Sequence, residues 1–209
     1  MSLSKILAKL REEIEADDKV RENVLPLSRE TVRRCGLSIK ETHRGNFDEA
    51  LKLVNEAHEM MQQAAAQVSQ SEFISKAKIL DTAQQELAEA SNVLSLIQSG
   101  EFTDPEKLDI PARPYLTGLA DAIGELRRAV LDSLRTGDVK RGEKLLSVME
   151  EALDELNAFD FPNALIPDLR RKCDVARGLI EKTRGDVTGA VQQEKLIREM
   201  KTFEGRVKK

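Results

Sequence analysis

The segment YLTGLADAIGEL, residues 115–126, decides how the rest of this sequence is interpreted. Its apolar side chains recur every three or four positions, a period typical of an α-helix with one buried face. That face is predicted to consist of Leu116, Leu119, Ile123, Leu126 and, one turn later, Val130. Asp121 and Glu125 lie off this face. Their small neighbours Gly118 and Ala122 would allow a second helix or a phosphate to approach closely.

A second acidic pair, Glu86 and Glu89, lies in another predicted helix, within the segment QQELAEA at residues 84–90. Spacings of three and four residues put both members of each pair on one helix face, about 5–6 Å apart. If the two helices pack side by side, four carboxylates could converge. At about 6 Å and an effective dielectric near 20, each like-charge pair costs roughly 3 kcal/mol. A divalent cation would relieve this repulsion, and oxygen ligands suit Mg²⁺ or Mn²⁺.

The acidic pairs also have a simpler interpretation as solvated helix faces. The chain has 37 acidic residues, so many pairs with this spacing arise by chance. Glu86 is different in one respect, because it falls beside an apolar stripe rather than on the polar back of its helix. That stripe consists of Leu80, Ala83, Leu87, Ala90 and Leu94.

The composition indicates an all-α globular protein. Of the 209 residues, 40% are hydrophobic, 33% charged and only 3% aromatic, and the net charge of −4 excludes a global basic field. Cys35 and Cys173 have no metal-ligand spacing and are expected to be reduced thiols. The sequence has no apolar run long enough for a membrane span and no signal-like leader, so a cytoplasmic location is expected.

Helical periodicity predicts seven helices, no strands and one domain, residues 1–209, packed as an antiparallel bundle. Pro26 is expected to kink or interrupt the first helix. Residues 101–112 are predicted to form a long loop, of the kind that often lies over a functional site. The first predicted helix starts after Ser2 or Ser4 and runs toward Thr42. The others cover about 47–67, 72–98, 113–135, 138–159, 163–185 and 186–203, with Asp138 and Asp186 as the caps of the fifth and the last.

The segments QELAEA and YLTGLADAIGEL closely resemble two segments of the translin superfamily. They are more similar to its translin-associated factor X (Trax) branch than to translin itself. The resemblance extends more weakly over most of the chain and includes residues 27–30, 133–138 and 168–185. It implies a translin-like seven-helix fold and a closed, hollow octamer. Because the chain is shorter than its eukaryotic relatives, a prokaryotic or archaeal homologue that assembles with itself is expected.

The resemblance also implies a function: a Mg²⁺-dependent endoribonuclease that cleaves single-stranded RNA. In the Trax branch the catalytic acidic residues occupy the positions matching Glu86, Glu89 and Asp121, with Glu125 close by. All four are acidic here, whereas translin lacks the full acidic set and binds nucleic acid. Glu86, Glu89 and Asp121 are therefore expected to bind Mg²⁺ or Mn²⁺, and Glu125 to orient a water ligand.

Six basic residues are predicted to contact RNA phosphates, with solvated charges or ion-pair partners as the alternative. Because aromatic residues are scarce, recognition is expected to be backbone-driven and tolerant of sequence, with single-stranded DNA as a further partner. The six residues are Arg33, Arg34, Lys40, Arg44, Lys76 and Lys78.

Three other functions compete with this interpretation. A metal-free ribonuclease would need two imidazoles in one pocket, and the chain has only His43 and His58. A non-catalytic, translin-like oligomer would bind RNA or DNA through the same fold. A helical scaffold would bind a protein partner through the apolar residues of its last helices, which could equally pack between subunits or in the core. Those residues are Leu165, Ile166, Leu169, Val175, Leu179, Ile180, Val187, Val191, Leu196 and Ile197.

Overall fold

The computed structural model describes residues 2–207. This part of the chain forms eight α-helices and contains no β-strand, which confirms the all-α prediction. The helices are α1 (Leu3–His43), α2 (Phe47–Val68), α3 (Glu72–Lys76), α4 (Asp81–Gln98), α5 (Pro105–Leu108), α6 (Ala112–Arg135), α7 (Val139–Asn157) and α8 (Leu169–Val207).

The chain divides into two compact units. The first comprises everything up to Leu94 together with Thr103–Gly118, and the second comprises Ser95–Phe102 and everything from Leu119 onward. Helices α4 and α6 each contribute to both units. Glu86 and Glu89 therefore belong to the first unit, and Asp121 and Glu125 to the second.

In the first unit, α1 and α2 form an antiparallel pair joined by a short turn. Gly45 supplies the positive φ, +80°, that this turn requires. The Ser38 hydroxyl donates to the Ala50 carbonyl at 2.8 Å, so the helices approach closely at this level. Small side chains along α2 allow that approach, since Ala50, Ala57 and Ala64 are completely buried.

Within the first unit, the buried side chain of Asn92 on α4 binds the backbone at Thr103. Its amide donates to the Ala88 carbonyl at 2.8 Å, and its oxygen accepts from the Thr103 backbone N–H at 3.1 Å. The Tyr115 hydroxyl donates to the Thr103 carbonyl from the start of α6. The predicted loop at 101–112 is thus partly helical, because Asp104 caps α5 within it.

In the second unit, α7 packs against α8 through apolar faces. Arg127 links α6 to α8: it donates to the Thr183 hydroxyl at 2.6 Å and lies 3.0 Å from the Asp186 carboxylate. The largest buried apolar residues of α7 and α8 are Leu145, Leu146, Met149, Leu153, Leu156, Leu169, Cys173, Ile180 and Val187.

The helices differ from the predicted ones in several respects. The predicted third helix is broken into α3 and α4, because Lys78 adopts a left-handed conformation with φ of +55°. The predicted sixth and seventh helices are one helix, α8, in which Gly185 is an interior residue. Pro26 lies inside the continuous helix α1 and does not interrupt it.

The start of α8 was also predicted too early. Residues 163–168 form turns, and the Asn163 side chain accepts from the Asp168 backbone N–H at 3.1 Å. Asp168 has a φ of +66°, so the helix begins only at Leu169. With α5 added, α3 separated and α8 merged, the described chain has eight helices instead of seven.

Two long helices have exposed apolar stripes at their outer ends. At the start of α1 these residues recur with helical spacing, as do those at the end of α8. Within residues 2–207, no helix is long and apolar enough to cross a membrane. The stripes comprise Leu3, Ile6, Leu7, Leu10 and Ile14 on α1, and Leu196, Ile197, Met200, Phe203 and Val207 on α8.

Candidate functional site

Glu86 and Glu89 occupy a half-buried face of α4 that lies near α1. The residues around them, Leu87, Ala88 and Ala90, are completely buried, so neither carboxylate lies on a fully solvated helix face. Burial raises the pKa of the Cys35 thiol on α1, and the negative charges of Glu86 and Glu89 raise it further. Both carboxylates are therefore close enough to this thiol for their charges to act on it.

Gly118 allows α6 to lie directly against the backbone of α4 at Gln85, Ala88 and Glu89. A Cβ added to Gly118 would lie 2.9 Å from the Ala88 Cβ and 3.0 Å from the Glu89 nitrogen, and would also clash with the Gln85 carbonyl oxygen. This confirms the close helix approach expected from a small residue at position 118.

An ion pair at the N-termini of α4 and α6 supports the same approach. Arg113, in the first turn of α6, contacts the carboxylate of Asp81, the first residue of α4. Both side chains are largely removed from solvent, with 24% and 30% exposed. The two helices are therefore joined by a charged contact as well as by the close packing at Gly118.

Asp121 and Glu125 lie further along α6, in the second unit, and are also half-buried. The Lys172 ammonium, on α8, lies 2.6 Å from each carboxylate oxygen of Asp121. Glu125 lies 3.9 Å from the Arg128 guanidinium, a longer contact on the helix surface. Asp121 is thus paired with a lysine that the sequence patterns did not single out.

The donor set fits a hard divalent cation in its chemistry. All four acidic residues are partly withdrawn from solvent, and one of them, Asp121, already binds a positive charge in the form of the Lys172 ammonium. Each of the four takes part in a polar or electrostatic interaction. Within residues 2–207, however, no three His, Cys, Asp or Glu side chains are arranged so that they could bind a metal ion together.

Most of the six predicted RNA-contacting residues are paired with carboxylates. Arg33 donates to Glu30 at 2.5 and 2.7 Å, and Arg34 donates to Glu30 at 2.9 Å and also contacts Glu56. Hydrogen bonds from the two arginines lower the pKa of Glu30 to about 2, so this carboxylate stays ionised at neutral pH.

The remaining four basic residues are all exposed. Arg44 lies 2.7 Å from Glu41, and Lys76 lies 2.5 Å from Glu72. Lys40 and Lys78 are open to solvent. Exposed pairs of this kind contribute little to stability, so a phosphate can replace the carboxylate at low cost.

The chain can now be compared with known proteins. Residues 3–184 match the Translin family, and the chain belongs to this family. An uncharacterized protein of Methanocaldococcus jannaschii is 35% identical over 186 residues, which cover 88% of this chain and 82% of that protein.

Solved structures agree with this assignment. AfC3PO bound to duplex RNA has a TM-score of 0.83 and 36% identity, covering 90% of this chain and 97% of that one. AfC3PO alone has the same TM-score and coverage, with 37% identity. Apo-NeC3PO, at 21% identity, a TM-score of 0.79 and coverage of 88% and 96%, is similar in fold.

Proposed function

We propose that this protein is a Mg²⁺-dependent endoribonuclease of the Trax type that cleaves single-stranded RNA. The observation that supports this most directly is the packing of Gly118 against Gln85, Ala88 and Glu89 on α4, on the turn that carries Glu86 and Glu89. Asp121 and Glu125 follow Gly118 on the same helix, one and two turns later. All four acidic residues are half-buried.

In this proposal Glu86, Glu89 and Asp121 bind Mg²⁺ or Mn²⁺, and Glu125 orients a water molecule. A bound divalent ion supplies a Lewis acid that neutralises phosphate charge and makes water a better nucleophile. The protein contributes partly dry carboxylates in fixed helical positions, which keeps the reorganisation required for catalysis small. The expected products have a 5′-phosphate and a 3′-hydroxyl.

RNA binding is proposed to occur through the exposed basic residues of the first unit. The solved structure of the relative AfC3PO in complex with duplex RNA supports an RNA-binding function for this chain. Lys40, Arg44, Lys76 and Lys78 are the exposed cations best placed to bind backbone phosphates. Such contacts would accept single-stranded RNA and single-stranded DNA of varied sequence.

We further propose that the chain assembles into a homo-oligomer, namely the octamer that the family resemblance implies. The exposed apolar stripes of α1 and α8 support an interface, because exposing this much apolar surface to water is unfavourable and contact with another subunit would bury it.

The test is cleavage of labelled RNA by the full chain. Single-stranded and duplex substrates are incubated with Mg²⁺ or with EDTA, and both cleavage and binding are measured. The proposal predicts cleavage of the single strand in Mg²⁺ only, and its loss in E86Q and D121N with binding retained. D132N is the matched control, because Asp132 is a carboxylate on the same helix, paired on the surface with Arg135.

The alternative is a non-catalytic, translin-like protein that binds single-stranded RNA or DNA. It predicts binding without cleavage under every condition. Cleavage that survives EDTA would instead favour acid–base catalysis by His43 and His58, which lie on α1 and α2.

A further inference from the structure

Lys172 and Asp121 form a partly buried ion pair between α8 and α6. The ammonium nitrogen lies 2.6 Å from both Oδ1 and Oδ2, and only 15% of the lysine side chain and 28% of the aspartate side chain are exposed. The lysine–carboxylate pair Lys76–Glu72 shows the usual arrangement on this protein, with 75% and 83% exposed. Lys172 is therefore placed as a specific partner of Asp121, not as a solvated charge.

The start of α8 fixes the backbone of Lys172. Its N–H donates to the Asp168 carbonyl at 2.9 Å, and Asp168 is held in a left-handed conformation by its bond to Asn163. The next residue, Cys173, is buried in the second unit. The four-carbon stem remains flexible, so the ammonium can leave Asp121 without any movement of the helix.

The ammonium and a divalent cation would compete for the same carboxylate. Lys172 contacts both oxygens of Asp121, so any metal ion bound there would lie beside a second positive charge. At such short range, two cations on one half-buried carboxylate repel each other strongly.

We propose that Lys172 is the counter-ion of Asp121 in the metal-free protein, and that a divalent cation binds at this carboxylate in exchange for the ammonium. This inference rests on the proposed function, because it assumes that Asp121 is a metal ligand. Lys172 then sets the affinity of the site: it keeps the metal-free carboxylate from being left uncompensated, and it weakens ion binding.

The test is Mn²⁺ binding to the full-length, metal-stripped protein, measured by calorimetry and electron paramagnetic resonance. K172M should bind Mn²⁺ roughly tenfold or more tightly than the wild type, because no ammonium has to be displaced. K52M is the control: it removes an exposed lysine paired with Glu49 and should leave Mn²⁺ affinity unchanged. Equal or weaker binding by K172M would overturn the inference.

Two further variants separate this inference from the proposed function. If E86Q and D121N bind Mn²⁺ as the wild type does, there is no metal site at these residues, and both proposals fail. If D121N loses Mn²⁺ affinity while K172M matches the wild type, only the counter-ion role of Lys172 is wrong.

A measurement on the wild-type protein does not depend on how K172M folds. In ¹⁵N-lysine spectra recorded with EDTA, the ammonium of Lys172 should give a signal protected from exchange, because it is bound to Asp121. Saturating Mg²⁺ should shift or abolish this signal and leave that of Lys76 unchanged. A Lys172 signal that Mg²⁺ does not alter would contradict the exchange.

Discussion

Gly118 on α6 packs against Ala88 on α4 so closely that a methyl group at position 118 would lie 2.9 Å from the Ala88 Cβ. This contact lies on the turn of α4 that presents Glu86 and Glu89. It gives a physical reason for glycine at a position where helix propensity alone would favour alanine.

G118A is therefore expected to lower the free energy of unfolding by about 1–3 kcal/mol, because the added methyl group forces the two helices apart. Urea denaturation followed by circular dichroism measures the change. The control is G36A, since a Cβ at Gly36 would meet nothing within 4 Å. That substitution should instead stabilise α1 by about 0.5–1 kcal/mol. Equal effects of the two substitutions would contradict the close packing at Gly118.

Cys35 is expected to make stability fall at alkaline pH. Its pKa is raised in the folded protein, first by burial and then by Glu86 and Glu89, from an ordinary value of 9.0. A raised pKa means that the folded state retains the thiol proton more tightly than the unfolded chain does. The stabilisation is complete below pH 9 and is lost as the pH rises above it. The test compares the free energy of unfolding of the wild type and of C35A between pH 7 and 10.5. The wild type should lose stability relative to C35A only above pH 9.

The apolar stripe at the end of α8 is expected to mediate self-association. Met200 and Phe203 are 56% and 68% exposed, so M200E and F203E would place a charge in the interface and dissociate the oligomer. Light scattering coupled to size-exclusion chromatography gives the mass. K201E is the control: it changes the charge by two units at a position outside the stripe, and it should leave the mass of the particle unaltered. A wild-type protein that is monomeric would rule out the interface.

RNA binding is expected to depend strongly on salt. Each phosphate contact adds about 0.7 to the slope of log affinity against log salt for a single strand. K40A and K78A should each reduce that slope by roughly this amount, whereas K140A, an exposed lysine on α7, should not. Fluorescence anisotropy at several salt concentrations provides the slopes. Binding that salt does not weaken would exclude backbone recognition.

Local patterns predicted several helices well because their ends have local signals. The predicted helices at 47–67 and 113–135 match α2 (Phe47–Val68) and α6 (Ala112–Arg135) within one residue. A glycine with positive φ comes just before α2 and another follows α6, at Gly45 and Gly137. The close approach of a second helix at Gly118 could also be predicted, because such an approach depends on the small size of the side chain.

The remaining features depend on tertiary structure. Gly185 looks like a helix end in the sequence but lies inside α8, because the buried residues Thr183 and Val187 on either side of it are held by tertiary packing. The pair Lys172–Asp121 joins residues 51 positions apart, which no periodic pattern can indicate. By contrast, the pairing of Arg33 with Glu30 and of Arg44 with Glu41 follows a three-residue spacing and could have been predicted.

If acidic residues of α4 and α6 serve one metal ion, their effects on single-turnover cleavage of single-stranded RNA in Mg²⁺ will not be independent of each other. E86Q and D121N should each slow cleavage on the order of a hundredfold or more, and the double variant should be no slower than the slower single variant, because residues that act as one unit are not additive. Losses that multiply in the double variant, or wild-type cleavage by either single variant, would contradict a shared ion.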